Sequence, residues 1–328
     1  MPRRRATRAV LCALFVAAFV GGGALGVVRY IQTYWLYRGF SAPVHLRYIR
    51  IGIGVDAHEV SVIPGTVESI YLRGPTIGHF RDQILVYLPP GYREHPFNRY
   101  PVLYLLHGVP GDPQNFLDIG DVATISDDLV ATRQIRPMII VMPSGGRSFF
   151  QDNEWANLAE PNEGWDTFVS RDLVHLIDQR YRTHGVGREC GIAGDSEGAY
   201  GALNIAFHHV GEFDLIEGWS PYYKADTRRA VLFEKNKALL AYNSPGEEIV
   251  NVAPSLRRNH TYIWLYDGTK ERINEGSAQF AAALGRLGVA HAFTQYPGHH
   301  DWSLWRAHMP SALITASNYF SHGEPTTA

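Results

Sequence analysis

The sequence predicts an α/β domain whose mostly parallel sheet is covered by helices on both faces. Apolar runs typical of buried strands, such as residues 102–106 and 262–266, alternate with segments that have helical character. In one of those segments, Val169, Leu173 and Ile177 have the spacing of a helix that packs one face on a sheet. This alternation is typical of parallel strands joined by crossover helices, and 328 residues can hold it in one large domain.

The N-terminus carries a candidate membrane segment. Residues 9–28 form a run of 20 without a charged side chain, and four arginines precede it. We expect a single-pass anchor in the cell membrane, with the basic tip in the cytoplasm and the folded domain outside. The alternative is a secretory signal peptide whose cleavage releases the protein. On either interpretation residues 1–40 hold the tip, the apolar segment and a juxtamembrane stretch, and residues 41–328 hold the folded domain.

The first part of that domain is predicted to be rich in strands. Residues 46–53 and 60–63 carry alternating or β-branched apolar side chains, which indicates a β-rich N-terminal extension. Residues 135–142 predict a further central strand.

A loop rich in small residues follows the predicted strand at 102–106. Its sequence, His-Gly-Val-Pro-Gly at 107–111, is a variant of the HG-rich motif in which small residues let a backbone N–H approach a substrate oxygen. The N–H of Val109 is the candidate for one half of an oxyanion hole.

The most informative motif is Gly-Asp-Ser-Glu-Gly at 194–198, a G-x-S-x-G pattern between a strand-like and a helix-like run. In that context it predicts the nucleophile elbow of an α/β-hydrolase, whose sharp turn exposes the Ser196 hydroxyl. The Glu197 backbone N–H then points at the same place and supplies the other half of the oxyanion hole. The acidic side chains of Asp195 and Glu197 are expected to be solvated or structural, with Glu197 able to favour an imidazolium electrostatically.

A nucleophilic serine requires an acid and a histidine, and both follow in the order typical of this fold. The predicted strand at 262–266 ends in a loop that offers Asp267, Glu271 and Glu275 as acids. Downstream, the turn after the predicted strand at 291–296 contains two adjacent histidines. Those two histidines and the aspartate after them belong to no ligand cluster with recognisable spacing, so we predict neither a metal nor another cofactor.

The chain resembles the esterases related to esterase D, which include feruloyl and acetyl esterases, S-formylglutathione hydrolase and mycolyl-transferring esterases. The resemblance covers about residues 65–320. It is carried by ordered motifs at residues 84–92, 105–108, 194–202, 268–269, 296–298 and 300–302.

The resemblance implies an α/β-hydrolase fold and three catalytic roles. Ser196 is the expected nucleophile, Glu271 the acid with Asp267 as the alternative, and His300 rather than His299 the base. The expected activity is hydrolysis of carboxylic esters through an acyl-enzyme. The same residues would serve an acyltransferase that passes the acyl group to a sugar or glycerol hydroxyl, and a catalytically inactive, membrane-tethered binding module is a further alternative.

Substrate and partners follow less directly from the sequence. Trp165, Trp219 and Tyr222 come after predicted strand ends, where this fold builds its pocket, so they are candidate pocket residues. A site outside the cytoplasm favours small-molecule esters or esters of the cell envelope over cytosolic S-formylglutathione. The balance of 30 basic and 32 acidic residues gives no electrostatic case for nucleic acid, and the oligomeric state is not predicted.

Overall fold

The computed structural model describes residues 48–51, 58–185, 189–225, 233, 236–271 and 276–323. The predicted membrane segment at 9–28 and the boundary near residue 40 lie outside these ranges. Among the helices inside them, none is both long enough and apolar enough to cross a bilayer. Near the N-terminus, β1 (Tyr48–Ile51) pairs with β2 (His58–Ser61) in an antiparallel ladder of two strands. This pair coincides in part with the strands predicted at 46–53 and 60–63.

An eight-stranded sheet forms the centre of the described chain. Its spatial order is β10-β9-β8-β7-β5-β6-β4-β3. Strands β5 to β10 run parallel to one another, whereas β4 is antiparallel to both β6 and β3. The predicted mostly parallel sheet is therefore confirmed. In chain order the strands are β3 (Thr66–Arg73), β4 (Arg81–Leu88), β5 (Val102–Leu106), β6 (Ile139–Pro143), β7 (Cys190–Asp195), β8 (Leu215–Trp219), β9 (Tyr262–Gly268) and β10 (His291–Tyr296).

Helices cover both faces of this sheet. A π-helical stretch at Phe168–Leu173 joins α3 to α4, in the region where the sequence predicts a helix packed on the sheet. The helices are α1 (Gln114–Asp118), α2 (Val122–Ala131), α3 (Trp165–Thr167), α4 (Val174–Arg180), α5 (Glu197–His208), α6 (Lys237–Tyr242), α7 (Pro245–Arg258), α8 (Ser277–Arg286) and α9 (Trp302–His322).

The side chains of β5 show how the core is divided between the two faces. Successive side chains of a strand point to opposite faces of a sheet. Accordingly Val102, Tyr104 and Leu106 pack in one buried cluster with residues of α5, α7 and α8. Leu103 and Leu105 pack in a second cluster with residues of α1, α2 and α9. Because both faces are buried, the strand is apolar at every position.

The strand predicted at 135–142 begins later in the structure, at Ile139. Pro137 lies just before it and has no N–H to donate to a sheet ladder. The N–H of Arg136, one residue earlier, donates to the Ser317 hydroxyl of α9 at 2.9 Å instead of to a neighbouring strand. The segment before β6 is therefore held by a helix rather than by the sheet.

Strand direction places the loops that matter at one edge. The register pairs Asp195 at the end of β7 with Trp219 at the end of β8, and Trp219 in turn with Tyr266 of β9. Tyr296 at the end of β10 pairs with Gly268 of β9. Because parallel strands finish at the same edge of a sheet, the segments that follow these four strands meet above it.

Candidate active site

Ser196 occupies a sharp turn between β7 and α5. Its backbone has φ 54° and ψ −116°, a conformation that L-residues rarely adopt, and its N–H donates to the Trp219 carbonyl at 2.9 Å. A Cβ on Gly194 would lie 2.4 Å from the Leu106 carbonyl oxygen, and one on Gly198 would lie 1.9 Å from it. Both flanking positions therefore require glycine, for the reason that the G-x-S-x-G pattern indicates.

A continuous chain of hydrogen bonds leads away from the Ser196 hydroxyl. Nε2 of His300 lies 2.7 Å from Ser196 Oγ, and Nδ1 of the same ring lies 3.0 Å from Glu271 Oε2. The carboxylate of Glu271 is 1% exposed and the His300 side chain 16% exposed. The histidine comes from the turn before α9 and the glutamate from the loop after β9, so the structure brings together three residues that are distant in the sequence.

Three donors surround the Glu271 carboxylate. Besides His300, the Gly268 N–H donates to Oε1 at 2.7 Å and the Ser220 hydroxyl donates to it at 2.6 Å. The Trp305 indole N–H in turn donates to Ser220 Oγ at 3.0 Å, and its ring lies edge-on to His300 with 5.2 Å between centroids. This arrangement fixes the carboxylate and, through it, one imidazole tautomer.

The alternative acid, Asp267, has a different partner. Its Oδ1 accepts a hydrogen bond from Gln295 Nε2 at 2.9 Å, and burial raises the pKa of its carboxyl. Glu275 lies outside the described residues. Of the two adjacent histidines, His300 is the one that contacts Ser196, while the His299 carbonyl accepts the N–H of Asp301 at 2.9 Å. Of the predicted acids described, the structure brings Glu271 to the imidazole.

The loop at 107–111 lines the cleft at Ser196. Val109 lines the same cleft as Ser196 and His300. The His107 ring is buried within the loop, with its nitrogens 2.9 and 2.7 Å from the carbonyl oxygens of Gly108 and Ser144. Burial lowers the pKa of this histidine. Because both ring nitrogens contact backbone carbonyls, the histidine serves to hold the loop in its conformation.

The second predicted oxyanion donor belongs to Glu197, the first residue of α5. Backbone N–H groups in the first turn of a helix point outward along its axis and have no acceptor within the helix. The Glu197 side chain turns into the protein, where Oε1 accepts the Glu154 N–H at 2.8 Å. Glu197 and Asp195 are each 2% exposed, so of the two expected alternatives, solvated or structural, burial excludes the first.

The cleft above Ser196 encloses about 410 Å³ including its open mouth. Trp302 and Trp305 from α9 line it, together with Asn115 from α1. Sequence reasoning missed these residues and also Ser220. The available signal was position, because Ser220 directly follows β8 and the two tryptophans follow His300 in the chain.

Two of the predicted pocket residues lie in the core instead. The Trp165 indole is fully buried and donates to Glu163 Oε2 at 2.6 Å, and the Trp219 indole is fully buried and donates to Glu217 Oε2 at 3.1 Å. Neither is among the described residues that line the cleft. Both are large apolar groups that gain more by filling the core. Tyr222 is half-buried, and its hydroxyl donates to the Glu154 carboxylate; its role in a pocket stays a prediction.

Within the part of the chain that the structure describes, no three His, Cys, Asp or Glu side chains are grouped so as to hold a metal ion. The hydrogen-bonded groups at the cleft are those of nucleophilic catalysis, in which a hydroxyl contacts a base and the base contacts an acid.

The sequence of the chain is similar to those of known proteins. The family model described as putative esterase matches residues 80–316. A Mycobacterium tuberculosis protein named as an esterase is 26% identical over 249 residues, which are 66% of this chain and 51% of that relative. The present chain thus spans about half the length of this relative.

Solved structures share the fold. A ferulic acid esterase superimposes with a TM-score of 0.69 at 23% identity, covering 78% of this chain and 99% of the other. A fluorophosphonate-binding serine hydrolase of Staphylococcus aureus superimposes with a TM-score of 0.65 at 19% identity and the same coverage.

Proposed function

The chain belongs to the putative esterase family, and from this premise we propose that it is a serine esterase that hydrolyses carboxylic esters. The observation that carries the proposal is the hydrogen-bonded chain from Ser196 Oγ through His300 to Glu271. A hydroxyl is a weak nucleophile until a base accepts its proton, and a neutral imidazole at 2.7 Å is placed to do so.

The reaction proceeds in two stages. His300 Nε2 takes the Ser196 proton as Oγ attacks the ester carbonyl, and the resulting imidazolium is stabilised by Glu271. The imidazolium then protonates the leaving alcohol, which leaves an acyl group on Ser196. Water, deprotonated by His300, releases the acid in the second stage and restores the serine.

The oxyanion of each tetrahedral intermediate is stabilised by the backbone N–H groups of Val109 and Glu197. Each such donor contributes about 3 kcal/mol of transition-state stabilisation. The position of Val109 on the cleft and of Glu197 at the start of α5 supports this assignment.

The proposed location is outside the cytoplasm, on the strength of the apolar segment at 9–28. There the enzyme would meet esters of the cell envelope or exogenous small molecules. The aromatic lining from Trp302 and Trp305 suits an ester with an apolar or ring-containing part.

The direct test is turnover of p-nitrophenyl acetate and butyrate by the full-length chain in mild detergent. We expect activity that Ser196→Ala abolishes and that Ser321→Ala, at an exposed position of α9, leaves intact. Adding glycerol or a sugar as acceptor separates hydrolysis from acyl transfer, because a transferase forms the new ester at the expense of the free acid. Equal turnover by Ser196→Ala and the unmodified chain contradicts the proposal, and a folded chain without turnover points to the binding-module alternative.

A further inference from the structure

A second buried carboxyl, that of Asp195, directly precedes Ser196 in the chain. Asp195 is 2% exposed and lines the cleft with Ser196. Its Oδ2 accepts the Gly108 N–H at 3.2 Å, and its Oδ1 is buried without a hydrogen bond in the described part of the chain. A Cβ built on Gly108 would lie 2.8 Å from both Asp195 Oδ2 and Ser196 Cβ, so there is no room for a larger side chain at this position.

Within the described residues, Asp195 has no arginine or lysine partner. Arginine and lysine are absent from the described residues that line the cleft, and none forms an ion pair with Asp195 among the described contacts. A buried carboxylate that only backbone N–H groups stabilise, with no cation beside it, is far less stable than the neutral acid. Burial accordingly raises the pKa of Asp195 to about 8, against the lowering effect of the backbone N–H groups of Gly108 and of Asp195 itself.

We propose that Asp195 acts as an uncharged positioning residue, which holds Gly108 and thereby the Val109 N–H in place, and whose ionisation switches the esterase off. The inference rests on the proposed function. Gly108 precedes Val109 directly, so the hydrogen bond from its N–H to Asp195 fixes the backbone that presents the next donor. Asp195 acts through this loop and is not itself a catalytic group.

The consequence of ionisation follows from where the charge would appear. Asp195 contacts Gly108 in the loop that we propose supports the oxyanion, whereas Glu271 contacts His300. A negative charge on Asp195 therefore lies close to the second negative charge that develops in the transition state, and the two repel in a site of low polarity. Activity should fall as pH rises through the pKa of Asp195.

Other titratable groups surround this carboxyl. Burial lowers the pKa of His107 and raises the pKa values of Glu217 and Tyr266 well above their ordinary range. Glu217 makes a useful comparison, because it is also a fully buried acid with one hydrogen-bonded oxygen but accepts from Trp219 in the core. Among the described residues, His107, His300 and Asp301 share the cleft with Asp195, and Tyr266 interacts with it electrostatically. Glu197 lies two positions further along the chain and Glu217 lies on the adjacent strand β8.

The test is the pH dependence of kcat/KM from pH 6 to 10 for the full-length chain, with the Ser196→Ala rate subtracted as background. With a pKa of about 8, the unmodified chain should lose about tenfold in kcat/KM between pH 7 and pH 9. Asp195→Asn can still accept the Gly108 N–H but cannot ionise, so this fall should disappear. Glu217→Gln should keep the fall, because it removes a buried acid that does not contact the loop.

A spectroscopic measurement makes the proposal independent of turnover. The infrared band of a protonated carboxyl should weaken between pH 7 and pH 9 by more in the unmodified chain and in Glu217→Gln than in Asp195→Asn. The comparison with Asp195→Asn is needed because Asp82, another buried carboxyl with a pKa of about 7, contributes to the band in all three proteins. If this excess is present while no ester is turned over, the protonation assignment stands and the proposed esterase function fails. An equal change of the band in Asp195→Asn and the unmodified chain overturns the inference, and so does an alkaline fall in kcat/KM of equal size in the two.

Discussion

Two buried carboxyls lie near Ser196, and they differ in the hydrogen bonds that they accept. Glu271, on the histidine side, accepts hydrogen bonds from Gly268, Ser220 and His300. Asp195, on the oxyanion side, accepts one, from Gly108. Both are almost completely buried, so burial alone does not distinguish them. Among the described contacts the two carboxyls therefore differ in their donors, and at Asp195 burial raises the pKa despite the backbone N–H groups that lower it.

The two sides also differ in how they are assembled. The histidine side combines the ends of β8 and β9 with the turn before α9, and it includes the Trp305 indole that donates to Ser220. The oxyanion side joins two adjacent strands, β5 and β7, through their loops. The predictions below perturb one side at a time.

The largest effect is expected on the histidine side, from Glu271→Gln. An amide in place of the carboxylate presents an N–H toward the imidazole or fails to stabilise its charged form, and we expect kcat to fall by about 10⁴-fold. Steady-state turnover of p-nitrophenyl acetate measures this. Asp267→Asn is the matched control, with little expected loss because Asp267 bonds to Gln295. A larger loss in the control than in Glu271→Gln would show that the acid has been misassigned.

On the oxyanion side, Gly108→Ala should come second. Its methyl group would lie 2.8 Å from Asp195 Oδ2 and from Ser196 Cβ, so the loop must move away from Ser196. Loss of one oxyanion donor then lowers kcat by about 10²-fold or more.

Gly285→Ala in α8 is the control for the glycine change itself. The nearest atom to its new methyl group is 3.6 Å away, in the His291 ring, which is ordinary contact distance. Turnover should be unchanged in this variant. Unchanged kcat in Gly108→Ala would remove the loop from the oxyanion hole.

A smaller effect is expected from Ser220→Ala, which removes one donor from Glu271 and the acceptor of the Trp305 indole. The loss of one hydrogen bond to a charged group corresponds to about tenfold in kcat. Circular dichroism verifies that the variant folds. The effect should appear in kcat rather than in KM, since Ser220 does not line the cleft.

The smallest effect concerns stability, and its sign follows from the raised pKa of Asp195. The unfolded carboxyl loses its proton near its ordinary pKa of 3.8, while the folded one keeps it to about 8. The free energy of unfolding therefore falls as pH rises from about 4 to about 8. Asp195→Asn removes this dependence, so its Tm should exceed that of the unmodified chain by more at pH 8 than at pH 5.

Thermal unfolding followed by circular dichroism at the two pH values measures this difference. Glu217→Gln should behave in the same way in stability, although it should leave the pH dependence of kcat/KM unchanged. A Tm difference for Asp195→Asn that is the same at pH 5 and pH 8 would contradict the assigned protonation.

Much of this arrangement could be predicted from the sequence. The runs at 102–106 and 291–296 coincide with β5 and β10. The first is recognisable because a buried parallel strand is apolar throughout, whereas the second is an edge strand that is recognised by the turn after it. The motif around Ser196 is recognisable because its two flanking positions require glycine. A Cβ added at either position would lie less than 3 Å from backbone atoms. Local patterns of this kind need no knowledge of the tertiary contacts.

Other features depend on contacts that no local pattern contains. Trp165 and Trp219 come after predicted strand ends, where this fold builds its pocket, yet they fill the core. A large apolar side chain suits a pocket and a core equally well, so the sequence alone does not distinguish the two. Ser220 belongs to the site because its hydroxyl donates to Glu271, which lies 51 positions later in the chain. The burial of Asp195 depends on the loop from β5 that covers it.

The most direct test of the central claim is to map the site of covalent labelling by a fluorophosphonate, using peptide mass spectrometry on the full-length chain. Fluorophosphonates phosphonylate serines that an adjacent base activates. The account predicts one labelled serine, Ser196, and a loss of labelling in His300→Ala while the fold is retained. Labelling at a different serine, or undiminished labelling of Ser196 in His300→Ala, would contradict the account.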